Sequence, residues 1–158
     1  MTSDEFARRV EALRPVLYRV CRVQLSIPAD REDAVQEAVF RAWRKRNSLR
    51  DARRFDTWMI RILVNECRDI QRRHRYFVVT DALPEIPAAG GNGGRELRDA
   101  LLQLDEKQRL CMLLHYIEGY KVKEVARMLG LGESAVKVRL MRGRQRLKEM
   151  LSEEAFEE

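Results

Sequence analysis

An all-α chain, built as two small helical domains joined by a flexible linker, is the fold class that this sequence predicts. Three observations carry the prediction. Apolar residues recur at helical spacing along most of the chain, with almost no strand-like alternation. The segment 76–94 holds Pro84 and Pro87 and ends Ala88-Ala89-Gly90-Gly91-Asn92-Gly93-Gly94, a run that sustains neither helix nor strand. The turn Leu129-Gly130-Leu131-Gly132 joins a short amphipathic segment to a longer, cation-rich one, the pattern of a helix-turn-helix.

In the first domain, residues 1–75, helices are expected near Asp4–Leu25, Asp30–Asn47 and Arg54–Arg75. Thr2 with Glu5 resembles a capping box, Pro15 should kink or split the first helix, and Asp30 can cap the second. Ala34, Val35, Ala38, Val39, Ala42 and Trp43 form the packed face of the second helix. Asp33, Gln36, Glu37, Phe40 and Arg44 are left on its other side. A large aromatic residue among charges gains nothing in an isolated monomer, so Phe40 is a candidate protein–protein anchor. The plainer alternative packs it under the N-terminal helix.

On the third helix Phe55, Trp58, Met59, Ile62, Leu63 and Ile70 make the buried face. Arg61, Asn65, Arg68 and Arg72 follow one another at i, i+4, i+7 and i+11, a basic stripe with a neutral amide inside it. Arginines so placed suit phosphates, and an Asn can read a base edge or a flipped base by paired hydrogen bonds. A solvated arginine face with an incidental Asn is the plainer alternative. Trp58 could stack on a base, but its spacing with Phe55 and Ile62 favours the core.

The linker, 76–94, could span about 60 Å at roughly 3.3 Å per residue, comparable with about 18 base pairs. In the second domain, residues 95–151, helices near Glu96–Leu104 and Asp105–Glu118 come first, with Asp105 and Gln108 forming another capping box. The helix Lys121–Leu129 places Val122, Val125, Ala126 and Leu129 on one stripe, and small Ala126 lets the next helix cross closely. Gly130 stands where a helix most cheaply turns left-handed, and Gly132 can cap the last helix. In that helix Val136, Leu140, Gly143, Leu147 and Leu151 share a face. Lys137, Arg139, Arg142, Arg144, Arg146 and Lys148 cover the rest, able to meet phosphates and base edges in a major groove. A solvated basic face is again the plainer alternative. Residues 152–158 form an acidic tail.

Composition agrees with a partner of opposite charge. The formal charge is +6, and residues 1–75 and 95–150 are each net basic while the linker and tail are acidic. Cys21, Cys67 and Cys111 lie far apart without metal-ligand spacing and are expected as buried free thiols in a reducing cytoplasm. No signal peptide or apolar run approaching ~18 residues is visible, so a cytoplasmic location is expected. Convergent carboxylates, a nucleophile–base pair and a phosphate-binding glycine loop are missing too, so neither an enzyme nor a cofactor is expected.

Three stretches carry a resemblance. Asp33-Ala34-Val35-Gln36-Glu37-Ala38-Val39-Phe40-Arg41-Ala42-Trp43 comes first, then Phe55-Asp56-Thr57-Trp58-Met59-Ile60-Arg61-Ile62 with Asn65, Asp69 and Arg72-Arg73. The third comprises Leu104-Asp105-Glu106-Lys107-Gln108-Arg109, Glu118-Gly119-Tyr120, Glu124-Val125-Ala126, Leu129-Gly130 and Ala135-Val136-Lys137-Val138-Arg139-Leu140. In this order and spacing the chain resembles a bacterial sigma-70-type factor of the extracytoplasmic-function group, which keeps only regions two and four. Lys121, Gly132 and Val138 stand where that family often has small polar residues.

The resemblance implies a non-catalytic protein that directs core RNA polymerase to promoters. Asp33, Gln36, Glu37 and Phe40 would bind the polymerase clamp. Arg61, Asn65, Arg68 and Arg72 would face the minus-ten element, and Lys137, Arg139, Arg142 and Arg144 the minus-thirty-five duplex. The polymerase flap, promoter DNA and an anti-sigma factor are the other implied partners. A stand-alone helix-turn-helix regulator is the competing expectation, although residues 1–75 offer it neither a receiver nor a ligand pocket.

Overall fold

The computed structural model describes residues 1–74 and 99–157, with side chains to residue 151. The expected linker and the start of the helix expected at Glu96–Leu104 lie outside the described residues. The elements are α1 (Ser3–Gln24), α2 (Pro28–Arg44), α3 (Phe55–Arg73), α4 (Glu106–Met112), α5 (Val122–Leu129) and α6 (Glu133–Glu157), with a short helical stretch at 99–102 before α4. Among the described residues there is no strand.

Local chemistry sets most of the boundaries. The Thr2 hydroxyl accepts the Glu5 amide at 3.2 Å, and Asp4 and Glu5 add negative charge where the helix dipole is positive. Pro15 does not break α1, which runs unsplit through it. Proline removes one intrahelical hydrogen bond, but the buried stripe Leu13, Leu17, Val20 and Cys21 spans that point, and packing an apolar face contributes more to helix stability than local propensity does.

Asp30 does not cap α2 as expected. Ile27 is the cap residue of α2 and makes no side-chain cap bond, while Pro28 opens the helix. A proline there needs no amide partner and arrives with its φ preset, so the start falls two residues earlier and Asp30 becomes a first-turn acid.

Asp105 caps α4 as expected, its carboxylate accepting the Gln108 amide at 2.7 Å. Past Met112 the helix widens into a π turn over Leu113–Ile117, which the periodicity did not reveal. Gly119 then turns left-handed (φ 81°) and leads into α5 through Lys121, whose side chain makes no cap bond. Gly130 ends α5 at φ 67°, as expected for a left-handed terminator. A Cβ at Gly130 would meet only the Arg61 guanidinium, at an ordinary 3.7 Å. Gly130→Ala is therefore expected to cost about 1–2 kcal/mol of backbone strain, read as a lower urea midpoint at unchanged slope.

Packing gathers these helices around one continuous core. Leu17, Met59, Ile60 and Leu63 join Leu114, Met128, Leu129 and Leu140 in a single buried cluster. α2 and α3 pack together, α3 also packs on α5, and α1 on α4. α6 crosses α4 closely at Gly143, where a Cβ would stand 3.1 Å from Cγ and Sδ of Met112. Cys21 and Cys67 meet inside with their sulfurs 3.8 Å apart, and all three cysteines are free and buried.

Candidate nucleic-acid and protein interfaces

On α2 the burial of Ala34, Val35, Ala38 and Ala42 turns Asp33, Gln36, Glu37 and Phe40 outward together. Phe40 is 53% exposed, so it is not packed under α1; the Arg44 guanidinium lies 5.6 Å from its ring centroid. Two grooves meet at this ring. One, of about 720 Å³, is lined by Asp30, Asp33, Gln36, Glu37, Arg41, Glu66, Ile70, Arg73 and His74 as well as Phe40. The other, of about 430 Å³, is mainly apolar, with Phe6, Val35, Val39 and Trp43 in its wall.

Glu66, in the wall of the first groove, is a residue that sequence reasoning missed. It is 3% exposed and its carboxylate meets Arg41 Nη1 at 2.9 Å. Burial pushes its carboxyl up from the ordinary value, and the charge of Arg41 opposes that rise. The signal was available: Met59, Leu63, Glu66 and Ile70 fall on one buried helical stripe.

The α3 stripe divides. Asn65 and Arg72 are exposed, and Arg72 lies 3.4 Å from Asp69. Arg61 Nη1 instead donates to the Arg127 carbonyl at 2.8 Å, and Arg68 Nη2 to the Leu129 carbonyl at 3.0 Å. Both acceptors belong to the last turn of α5, where helix carbonyls are short of intrahelical partners; the Gly130 amide reaches the Arg127 carbonyl only at 3.4 Å. Trp58 is half-buried, its ring 5.9 Å from that of Phe55.

On α6, Lys137, Arg142 and Arg144 are exposed, and Arg144 Nη1 donates to the Tyr116 hydroxyl at 2.6 Å. Arg139 is half-buried on the edge of the Val136–Leu140–Gly143 stripe, beside the Cys111 thiol. Burial raises that thiol's pKa, and Arg139 draws it back. Val138 and Met141 stand exposed among the cations. Arg109, by contrast, is committed to the interior: 8% exposed, it donates through Nε and Nη2 to the Leu104 carbonyl at 3.3 and 2.9 Å.

The arrangement offers one acidic and aromatic ridge on α2 and basic surfaces on α3 and α6. Residues 9–76 match the family model described as sigma-70 region 2, and residues 94–147 the one described as sigma-70, region 4. The chain is similar to the ECF RNA polymerase sigma factor SigM of Mycobacterium tuberculosis, 32% identical over 139 residues that cover 85% of this chain and 71% of the relative. The chain belongs to the extracytoplasmic-function sigma factors of RNA polymerase.

This sigma factor is also similar to SigW of Bacillus subtilis, 28% identical over 168 residues, covering 94% of this chain and 90% of the relative. Among solved structures it is similar to the sigma factor RpoE of Bartonella quintana in complex with the anti-sigma factor NepR, with TM-score 0.77 and 25% identity, covering 94% of this chain and 97% of that one. CnrH in complex with the cytosolic domain of CnrY gives TM-score 0.67 at 25% identity, over 96% of this sigma factor and 90% of that chain. The activity of this sigma factor is accordingly promoter-directed initiation of transcription by RNA polymerase.

Proposed function

We propose that Asp33, Gln36, Glu37 and Phe40 attach the region-two half, residues 1–75, to the clamp of core polymerase. Arg61, Asn65, Arg68 and Arg72 then face the opened minus-ten element. Residues 95–151, the region-four half, engage the polymerase flap and set Lys137, Arg142 and Arg144 against the minus-thirty-five duplex, with Arg139 at the edge of that contact. The linker, 76–94, allows both contacts at once, and residues 152–158 remain an acidic tail.

The exposure of Phe40 on a helix whose opposite face is buried supports this division most directly. An aromatic ring between two grooves gains its burial from a partner. On α3, Asn65 is the residue assigned to an extruded non-template base, where a captured base offsets a few kcal/mol of unstacking. Binding and strand opening complete the role, with no covalent chemistry by the chain itself. RpoE, to which this chain is similar, is bound by an anti-sigma factor. A corresponding partner here would cover the same ridge and basic faces. No helix among the described residues is long and apolar enough to cross a membrane. We place the protein in the cytoplasm, on the nucleoid in holoenzyme and at the membrane where an anchored anti-sigma factor holds it.

The test mixes purified chain with core polymerase. Holoenzyme and promoter-specific transcripts are expected, and tight specific duplex binding without polymerase would instead favour a stand-alone regulator. Asn65→Ala is expected to lose about 1–3 kcal/mol, about 5-fold to 150-fold, in open-complex formation, with holoenzyme assembly unchanged. Equal losses in both assays would remove Asn65 from base capture.

A further inference from the structure

We propose that Val138 and Met141 form an apolar patch on the crest of α6 that selects thymine, by seating against C5-methyl groups in the major groove of the upstream duplex. This rests on the proposed role of α6 at the minus-thirty-five element and names the base it favours. Both side chains are exposed, Val138 by 38% and Met141 by 51%. Val138 stands two residues from each of the buried Val136 and Leu140, so at about 100° per residue it faces almost directly away from the core. Met141, three residues on, lies on the same outward side. Neither gains burial from the chain itself, so an apolar pair in this place is stabilised only by a partner that covers it.

The surrounding charge decides which partner fits. From Ala135 to Lys148 the helix carries Lys137, Arg139, Arg142, Arg144, Arg146 and Lys148 and no acidic residue, a field that draws in a polyanion. Exposed Lys137 and Arg142 flank the pair around the helix, so cations border an uncharged centre. A major groove offers the matching order, with phosphates along its rims and base edges on its floor. Only thymine carries a methyl group on that floor. Valine has no polar atom and methionine only a weak acceptor, so the amino group of adenine or cytosine would be left dry and unpaired against them. Three residues span about 4.5 Å along the axis, against a base-pair rise of ~3.4 Å, which lets the two side chains reach methyl groups on neighbouring base pairs. Both also lie within about the first three turns of α6, the end of a recognition helix that meets base edges.

The experiment uses holoenzyme assembled from the full chain and core polymerase. Selection of bound duplexes from a random-sequence pool supplies an upstream element, which is then remade with deoxyuridine in place of thymidine, one position at a time. That exchange removes the C5-methyl group and leaves base pairing intact. At one thymine, or at two on neighbouring base pairs, the parent is expected to bind the uracil duplex about fourfold more weakly, the worth of one buried carbon. Val138→Ser and Met141→Gln should each bind thymine and uracil duplexes alike at the position that the side chain covers. Circular dichroism checks folding, and since each variant tests its own position, one folded variant suffices. A selected element without thymine, equal affinity for thymine and uracil at every position, or a preference that both variants keep would overturn the methyl contact. Loss of assembly with core polymerase in the variants, with the thymine preference intact, would assign the patch to a protein partner and overturn it as well. Replacement of the whole upstream element without loss of binding is a separate result, which would overturn the assigned role of α6 at the duplex.

Discussion

Leu140→Ala is expected to destabilise the chain by about 2–5 kcal/mol, the usual cost of emptying a leucine site in a packed core. Leu140 is 2% exposed and shares its cluster with Leu114, Met128 and Leu129. Small domains hold only about 5–15 kcal/mol in total, so the variant should unfold at a clearly lower urea concentration. Where it unfolds is informative, because both tryptophans, Trp43 and Trp58, lie in the first three helices or against them. With the core continuous from α3 into α5, tryptophan fluorescence and circular dichroism should shift together. Fluorescence at the parental midpoint, with only part of the dichroism amplitude moved, would mean that the two halves melt independently.

Phe40→Ala is expected to weaken the complex with core polymerase by about 2–4 kcal/mol, on the order of 30-fold or more, if the ring is a central anchor. The chain's own stability should barely change, since the ring is already 53% exposed and has the Arg44 guanidinium beside it. Titration of labelled chain with polymerase, beside thermal melts of both proteins, separates these effects. A variant that melts early while binding normally would return Phe40 to a structural role.

Stripe positions such as Ala34, Ala38, Leu63, Val136 and Leu140 are buried as their spacing predicts, because burial of one face is what makes these helices stable. The caps at Thr2 and Asp105 and the left-handed Gly130 were equally legible, each resting on chemistry within three residues. The split at Pro15 and the cap at Asp30 went the other way, since a tertiary stripe and a proline start outweighed the local signal. Of the candidate site residues, outward orientation was readable for Phe40 and Asn65. The engagement of Arg61 and Arg68 was not, because their acceptors are backbone carbonyls more than 60 positions away, and a carbonyl leaves no mark in a sequence.

The widened turn at Leu113–Ile117 carries a mechanical consequence. It contains the extra residue that a π segment inserts into an α-helical path, and its wider winding takes up that residue before Glu118 is reached. Deleting one residue there and restoring regular winding would leave Glu118 and Tyr120 facing Arg19 and Asp56 in nearly the same phase, because a π turn with its extra residue covers about the same rotation as regular α winding without it. The extra residue is thus carried as slack within this one coil, and a single-codon deletion would take it up without turning the contacts beyond it out of line.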